Sequence, residues 1–176
     1  MTTRLSETQP DDSHGRSTEE HVVILRLADE YYALDIQAVE EIVRMQAITS
    51  IPGADIWVQG VTNLRGRVVP VIDVRHRCGV AAGEYTPETR IVVVSSTLGI
   101  VGLIVDAVTE VMRIPADQIE APGVIVSAQN NNYIRGIAKL ENRLVSLMDL
   151  EGVLPSESTF HETAEPAEEA EMAAAA

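Results

Sequence analysis

Cysteine is almost missing: Cys78 is the single one among 176 residues, so no internal disulfide is available, and a chain of 19.1 kDa can bury a core without one. Aromatic residues are scarce at 3%, which leaves no set of stacking residues for single-stranded nucleic acid or sugars. Positive charge is short as well. There are 13 Lys and Arg against 27 Asp and Glu, a formal charge of −14, whereas gripping a phosphate backbone takes a basic stripe, so no nucleic-acid partner is expected. No stretch approaches the roughly 18 uninterrupted apolar residues of a membrane span. Even the run from Leu98 breaks at Asp106, and direct membrane insertion is not expected. The opening Met-Thr-Thr-Arg-Leu-Ser-Glu-Thr has no apolar h-region, so the expected compartment is a reducing cytoplasm.

The acids crowd at the ends. Residues 1–20 hold five acids and two arginines, and residues 155–176 hold six glutamates and no base. Both segments are low in apolar residues that recur with a period, and the second is an Ala/Glu-rich low-complexity stretch, so both are expected to be disordered tails flanking a folded part at 21–154. Within that part sixteen acids face eleven bases, an ordinary mixed surface.

What is abundant is Val and Ile, about a fifth of the chain, gathered in short runs between turn residues. This composition predicts an all-β core. Ten runs read as strands, five in each half: 22–27, 31–36, 41–48, 58–63 and 67–73, then 90–95, 100–105, 110–114, 134–140 and 143–149. Short helical turns are expected at 37–40, 54–57 and 74–78.

The halves repeat one another. Gly60-Val-Thr-Asn-Leu-Arg-Gly-Arg-Val-Val-Pro-Val-Ile-Asp-Val74 aligns, 76 positions on, with Gly136-Ile-Ala-Lys-Leu-Glu-Asn-Arg-Leu-Val-Ser-Leu-Met-Asp-Leu150. Upstream, Ala38-Val-Glu-Glu-Ile-Val-Arg44 matches Ala107-Val-Thr-Glu-Val-Met-Arg113, and Ile51-Pro-Gly53 is echoed by Ala121-Pro-Gly123. Two copies, at about 22–80 and 90–154, predict two similar lobes and not a solenoid, and small five-stranded units close into barrels to hide their edges. Gly66 and Asn142 both suit a hairpin turn with positive φ. Arg65 against Glu141 is different, because that exchange inverts a charge and no requirement of the fold explains it.

No catalytic constellation emerges. One Asp per half, Asp73 and Asp149, raises the possibility of an aspartic hydrolase with two carboxylates sharing a proton. Both lie at strand ends outside glycine-containing loops, however, and the preferred reading is an Asp that caps the following turn. His76 and Cys78 are too few for a metal site, the remaining histidines lying at 14, 21 and 161. Cys78 reads as a small buried hydrophobe. Gly60 to Gly66 lacks the Gly-Lys-Ser/Thr ending of a phosphate loop. No metal or cofactor is called for. Tyr31, Tyr32 and Trp57 are expected to pack in the core or between the lobes.

Gly60-Val61, Asn63-Leu-Arg-Gly66 and Val68-Val-Pro-Val-Ile-Asp-Val74, with Ala38 to Arg44 and Ile51-Pro-Gly53 upstream, form a long pattern that strongly resembles the CheW family of chemotaxis coupling proteins over about residues 21–154. The resemblance implies two intertwined five-stranded SH3-like barrels packed face to face. It also implies a non-enzymatic adaptor that links the cytoplasmic tip of methyl-accepting chemotaxis receptors to the regulatory domain of a CheA-type histidine kinase, recruited to receptor arrays at the inner face of the membrane. The alternatives are an adaptor of a related chemosensory pathway serving pili or another output, an adaptor that ordinarily carries a receiver domain, and the hydrolase.

A two-lobed β-protein offers a groove for the apolar face of a helical hairpin and barrel edges suited to docking a similar barrel. The candidate partner-binding residues are Glu41, Gly60, Asn63, Leu64, Arg65 and Gly66. If the halves fold alike, Glu41 and Arg65 are expected on neighbouring strands as an ion pair that only the first copy can make, since Glu141 replaces the arginine in the second.

Overall fold

A computed structural model describes residues 18–123 and 132–155. The tails expected at 1–20 and 155–176 fall almost entirely outside the described residues. The exceptions are Thr18 to Glu20 and Pro155, and the first strand begins at Glu19, inside the stretch read as tail.

Eleven strands account for most of the described chain. They are β1 (Glu19–Leu27), β2 (Glu30–Asp35), β3 (Val39–Arg44), β4 (Val58–Leu64), β5 (Arg67–Asp73), β6 (Arg90–Ser96), β7 (Gly99–Val105), β8 (Ala107–Pro115), β9 (Ile119–Glu120), β10 (Ile134–Leu140) and β11 (Arg143–Met148). One-turn helices follow β5 at Val74–Arg77 and β11 at Leu150–Val153. Asp73 and Asp149 cap them, each accepting the amide two residues on, from Arg75 at 3.0 Å and Glu151 at 3.2 Å. The turn expected at 37–40 is a 3₁₀ segment, Ile36–Ala38, capped by Asp35. The segment 54–57 forms turns but no helix, and β3 ends at Arg44, short of the expected 48.

The strands form two sheets, one in the order β8-β1-β2-β11-β10-β9 and the other β3-β6-β7-β5-β4. Neither sheet is one repeat. Hairpin β1–β2 of the first repeat sits in the sheet of the second, beside β11 in parallel register (Val145 opposite Tyr31). Hairpin β6–β7 of the second sits in the sheet of the first, beside β5 (Val71 opposite Gly102). The halves have exchanged hairpins, which is the intertwining that the resemblance implied.

The exchange explains why these hairpins read as unbroken apolar runs. Alternate residues of a strand point to opposite faces. On β1, Val22 and Ile24 fill the six-stranded lobe, while Val23, Leu25 and Leu27 face the other lobe. On β6, Ile91 and Val93 fill the five-stranded lobe, and Val92 and Val94 face outward onto β1 and β2 in the shared core. Each lobe therefore has its own interior, and a third, larger core lies between them, to which Tyr32 and Trp57 contribute as expected. At about 1.5–3 kcal/mol for each aliphatic side chain buried, this shared layer makes the two lobes one unit.

Candidate partner-docking faces

The β4–β5 hairpin carries four of the six candidate residues at its tip or beside it. Arg65 and Gly66 occupy the two central turn positions with φ of 52° and 83°, a type I′ turn whose twist matches that of the strands. The Asn63 side chain accepts the Gly66 amide at 2.9 Å and fixes the turn. In the second copy the turn is built differently. Among the described residues, positive φ outside glycine occurs only at Ala28 and Arg65, so Asn142 does not adopt the conformation expected of it.

Gly60 and Leu64 are not surface residues. Leu64 is 3% exposed in the interior of the five-stranded lobe. Gly60, at φ 140°, lies so close to the preceding chain that a Cβ would stand 2.0 Å from the Thr49 carbonyl oxygen, because Thr49 and Val61 exchange two hydrogen bonds across the edge of β4. Both residues support the hairpin from within.

Glu41 and Arg65 are paired at 3.1 Å, the arginine almost wholly in solvent. The strands are not neighbours, contrary to expectation: β3 and β4 are the two opposite edges of the sheet. Closure of the barrel brings them together, and the ion pair spans the seam, with Glu40 and Arg67 beside it at 3.6 Å. The second lobe is not left unpaired either. Glu110, the counterpart of Glu41, pairs with Arg143, which corresponds to Arg67 and not to Arg65.

Each seam lies beside exposed aliphatic side chains at equivalent positions. Ile42 and Val68 flank the five-stranded seam, and Val111 and Leu144 the six-stranded one, with Val68 and Leu144 more than 60% exposed. Next to Leu144 runs a groove of 590 Å³ lined by Tyr133, Ile134 and Ile137, to which Asp29, Glu30 and Arg143 bring charge of both signs. Apolar faces edged by charge are the kind of surface on which other proteins dock.

The charged residues elsewhere serve structure. Asp73 is 2% exposed and chelated by Arg75, Nε to Oδ1 at 2.9 Å and Nη2 to Oδ2 at 2.8 Å. Hydrogen bonding to Asp73 raises the arginine above its ordinary pKa against the cost of burial. Asp73 and Asp149 thus each cap the turn that follows them, as the preferred reading of the sequence had it, and Asp73 is in addition held by Arg75. His76 stands 4.0 Å from the same carboxylate, and among the described residues no three His, Cys, Asp or Glu side chains cluster as metal ligands. Burial pushes the Cys78 thiol up to about 12, away from the thiolate form that nucleophilic chemistry uses. The sequence did not single out Arg75, Arg77 or Arg143. Arg77 reaches across the repeats to the carbonyls of Val153 and Gly152 at 2.9 and 3.2 Å, and only the departure of Arg75 from its counterpart Glu151 hinted at any of them.

The family model for the CheW-like domain matches residues 21–158. Chemotaxis protein CheW of Rhizobium meliloti is 35% identical over 136 residues, covering 77% of this chain and 88% of that protein. Its namesake from Bacillus subtilis is 35% identical over 142 residues, 81% and 91%. The solved structure of the scaffolding protein TtCheW from Thermoanaerobacter tengcongensis superposes with a TM-score of 0.72 at 35% identity, over 78% of this chain and 94% of that one. The overall fold is thus shared with a solved scaffolding protein, and over most of its length the chain belongs to the CheW-like family.

Proposed function

We propose that the chain is a non-enzymatic signalling adaptor that couples the cytoplasmic tips of methyl-accepting chemotaxis receptors to the regulatory domain of a CheA-type histidine kinase. The observation that carries this reading is the pair of equivalent apolar faces, Ile42 with Val68 and Val111 with Leu144, each beside a seam ion pair. A scaffold with two such faces can hold two barrel-like partners at once. The groove beside Leu144 is lined by Ile134, Ile137 and Tyr133, with Asp29 and Glu30 on one side and Arg143 also in its lining, which suits the apolar stripe of a receptor helix with charged residues beside it. At the other lobe the hairpin tip with Glu41, Asn63, Arg65 and Gly66 is the candidate contact for the kinase.

On this reading the chain works in the cytoplasm at receptor arrays. Among the described residues no helix is long and apolar enough to cross a membrane. A related pathway with another output has less support, since the likeness to Protein PilI of Pseudomonas aeruginosa, 30% identical, covers 64% of this chain and 63% of that one. The test is co-sedimentation of the full chain with receptor-tip fragments and a CheA-type kinase, with kinase activity followed. A ternary complex in which kinase activity depends on the chain is expected. Failure to bring kinase down with the receptor fragment would overturn the proposal.

A further inference from the structure

Arg75 is a buried cation whose place in the second repeat is taken by the exposed Glu151, so the fold common to both repeats does not demand it. Its guanidinium is nevertheless engaged on every side. Beyond the two bonds to Asp73, Nη1 donates to Asp106 Oδ1 at 2.9 Å and to the Gly83 carbonyl at 3.0 Å, and the Tyr85 ring lies 5.4 Å from its carbon. Asp106 is the single residue between β7 in one lobe and β8 in the other. Its amide donates to the Arg26 carbonyl at 3.1 Å, and its second carboxylate oxygen accepts the Ala28 amide at 2.6 Å. Ala28 holds φ 52°, a left-handed conformation that a residue with a Cβ adopts only where its surroundings impose it. That turn launches Asp29 and Glu30, the two acids in the lining of the groove, and Glu30 in turn accepts the Tyr32 hydroxyl at 2.8 Å.

We propose that Arg75 is a positioning residue for the groove: acting through Asp106 it imposes the Ala28 turn and so sets where Asp29 and Glu30 stand in its lining. Arg75 touches no partner itself. A planar fork with several fixed donors is the group that can hold two carboxylates and a carbonyl in one geometry, which a lysine cannot do. The proposal rests on the reading of that groove as the receptor site.

The test uses the full chain and three variants. Arg75→Met removes the fork. Asp106→Asn leaves the Arg75 and Asp73 pair in place but sets an NH2 donor where one of the two acceptor oxygens stood, facing either Arg75 or the Ala28 amide. Leu144→Asp strikes the groove directly. Amide exchange and the Ala28 amide proton shift are followed by NMR, and binding is measured separately to a receptor-tip fragment and to a kinase regulatory domain. In both Arg75→Met and Asp106→Asn, exchange at Ala28 is expected to speed up roughly tenfold while Ile91 in the other lobe stays protected. Affinity for the receptor tip should fall roughly tenfold and that for the kinase domain should hold. Arg75→Lys should recover only part of the loss. An Ala28 amide that stays protected overturns the inference. So does a released turn with unchanged receptor binding when Leu144→Asp abolishes it, in which case the groove reading stands. If Leu144→Asp also binds normally, the groove reading fails and takes the inference with it. Should Arg75→Met not fold, Asp106→Asn decides alone.

Discussion

Arg143 on β11 pairs with Glu110 on β8, and its guanidinium lies 4.6 Å from the centre of the Tyr31 ring. Across the second barrel it repeats what Arg65 and Glu41 do across the first, but from the strand and not from the turn. The two seams thus have the same chemistry and different shapes. Arg65 projects from a type I′ turn into solvent, whereas Arg143 is folded down onto an aromatic ring. One adaptor can in this way present two related faces that different partners tell apart.

The Glu41 and Arg65 pair is expected to matter for coupling and not for stability. An exposed ion pair contributes about 0–1 kcal/mol, so Arg65→Glu or Glu41→Arg should barely move the melting temperature while weakening receptor and kinase coupling. The double exchange should restore part of the loss. Coupling assays on the three variants decide it. Normal coupling in both single variants would show that the pair has no role, and a double variant no better than the singles would make Arg65 a direct contact.

The two glycines of the β4–β5 region should behave differently on substitution. Gly60→Ala drives a Cβ into the Thr49 carbonyl and is expected to cost about 2–4 kcal/mol. Gly66→Ala meets nothing within 4 Å and suffers only its φ of 83°, a cost of about 1 kcal/mol. Denaturant melts of the two variants measure both. Equal losses would mean that crowding at Thr49 is relieved by movement of the chain.

Truncation at the N-terminus should show a step. The polar composition of the first residues predicts that a chain beginning at Thr18 melts like the full chain. A chain beginning at His21 loses the pairings of Glu19 and Glu20 with Pro115 and Ile114 and the Arg135 ion pair to Glu20, and is expected to be less stable by about 1–2 kcal/mol. Thermal melts of the two truncations that coincide would disprove it.

Alkaline pH should destabilise the fold partly through Cys78. In the unfolded chain a thiol titrates near ~8.5, but burial holds this one to about 12 in the folded chain. The folded chain keeps a proton that the unfolded chain releases, so the stability linked to this group is complete below the unfolded value and is lost as pH rises toward 12. Burial raises Tyr32 and Tyr133 with the same sign. Urea melts across alkaline pH should show a shallower decline for Cys78→Ala than for the parent chain. An identical slope would show that the thiol is not protected.

The sequence by itself determined the strand runs, the repeat, the hairpin turn at Arg65 and Gly66, and the two Asp caps, because each depends on residues a few positions apart: alternation, turn chemistry, a side chain meeting an amide two residues on. It also led to Glu41 and Arg65 as partners, though by way of a mistaken adjacency, and it passed over Arg143 because the aligned position beside the turn holds Glu141. Only the tertiary structure decided which strands are neighbours, that hairpins β1–β2 and β6–β7 change places between the halves, and that β3 meets the β4–β5 tip across a seam. Gly60 and Leu64 lie with Thr62 at the alternate positions of β4, and only the structure shows that this face of the strand is the one turned into the lobe. Arg75, Asp106 and Ala28 stand far apart in the chain and form one network only where it crosses between the lobes. The reason is common to all of these: the closing of a barrel joins sequence-distant edges through burial and long-range hydrogen bonding, which no local pattern of residues encodes.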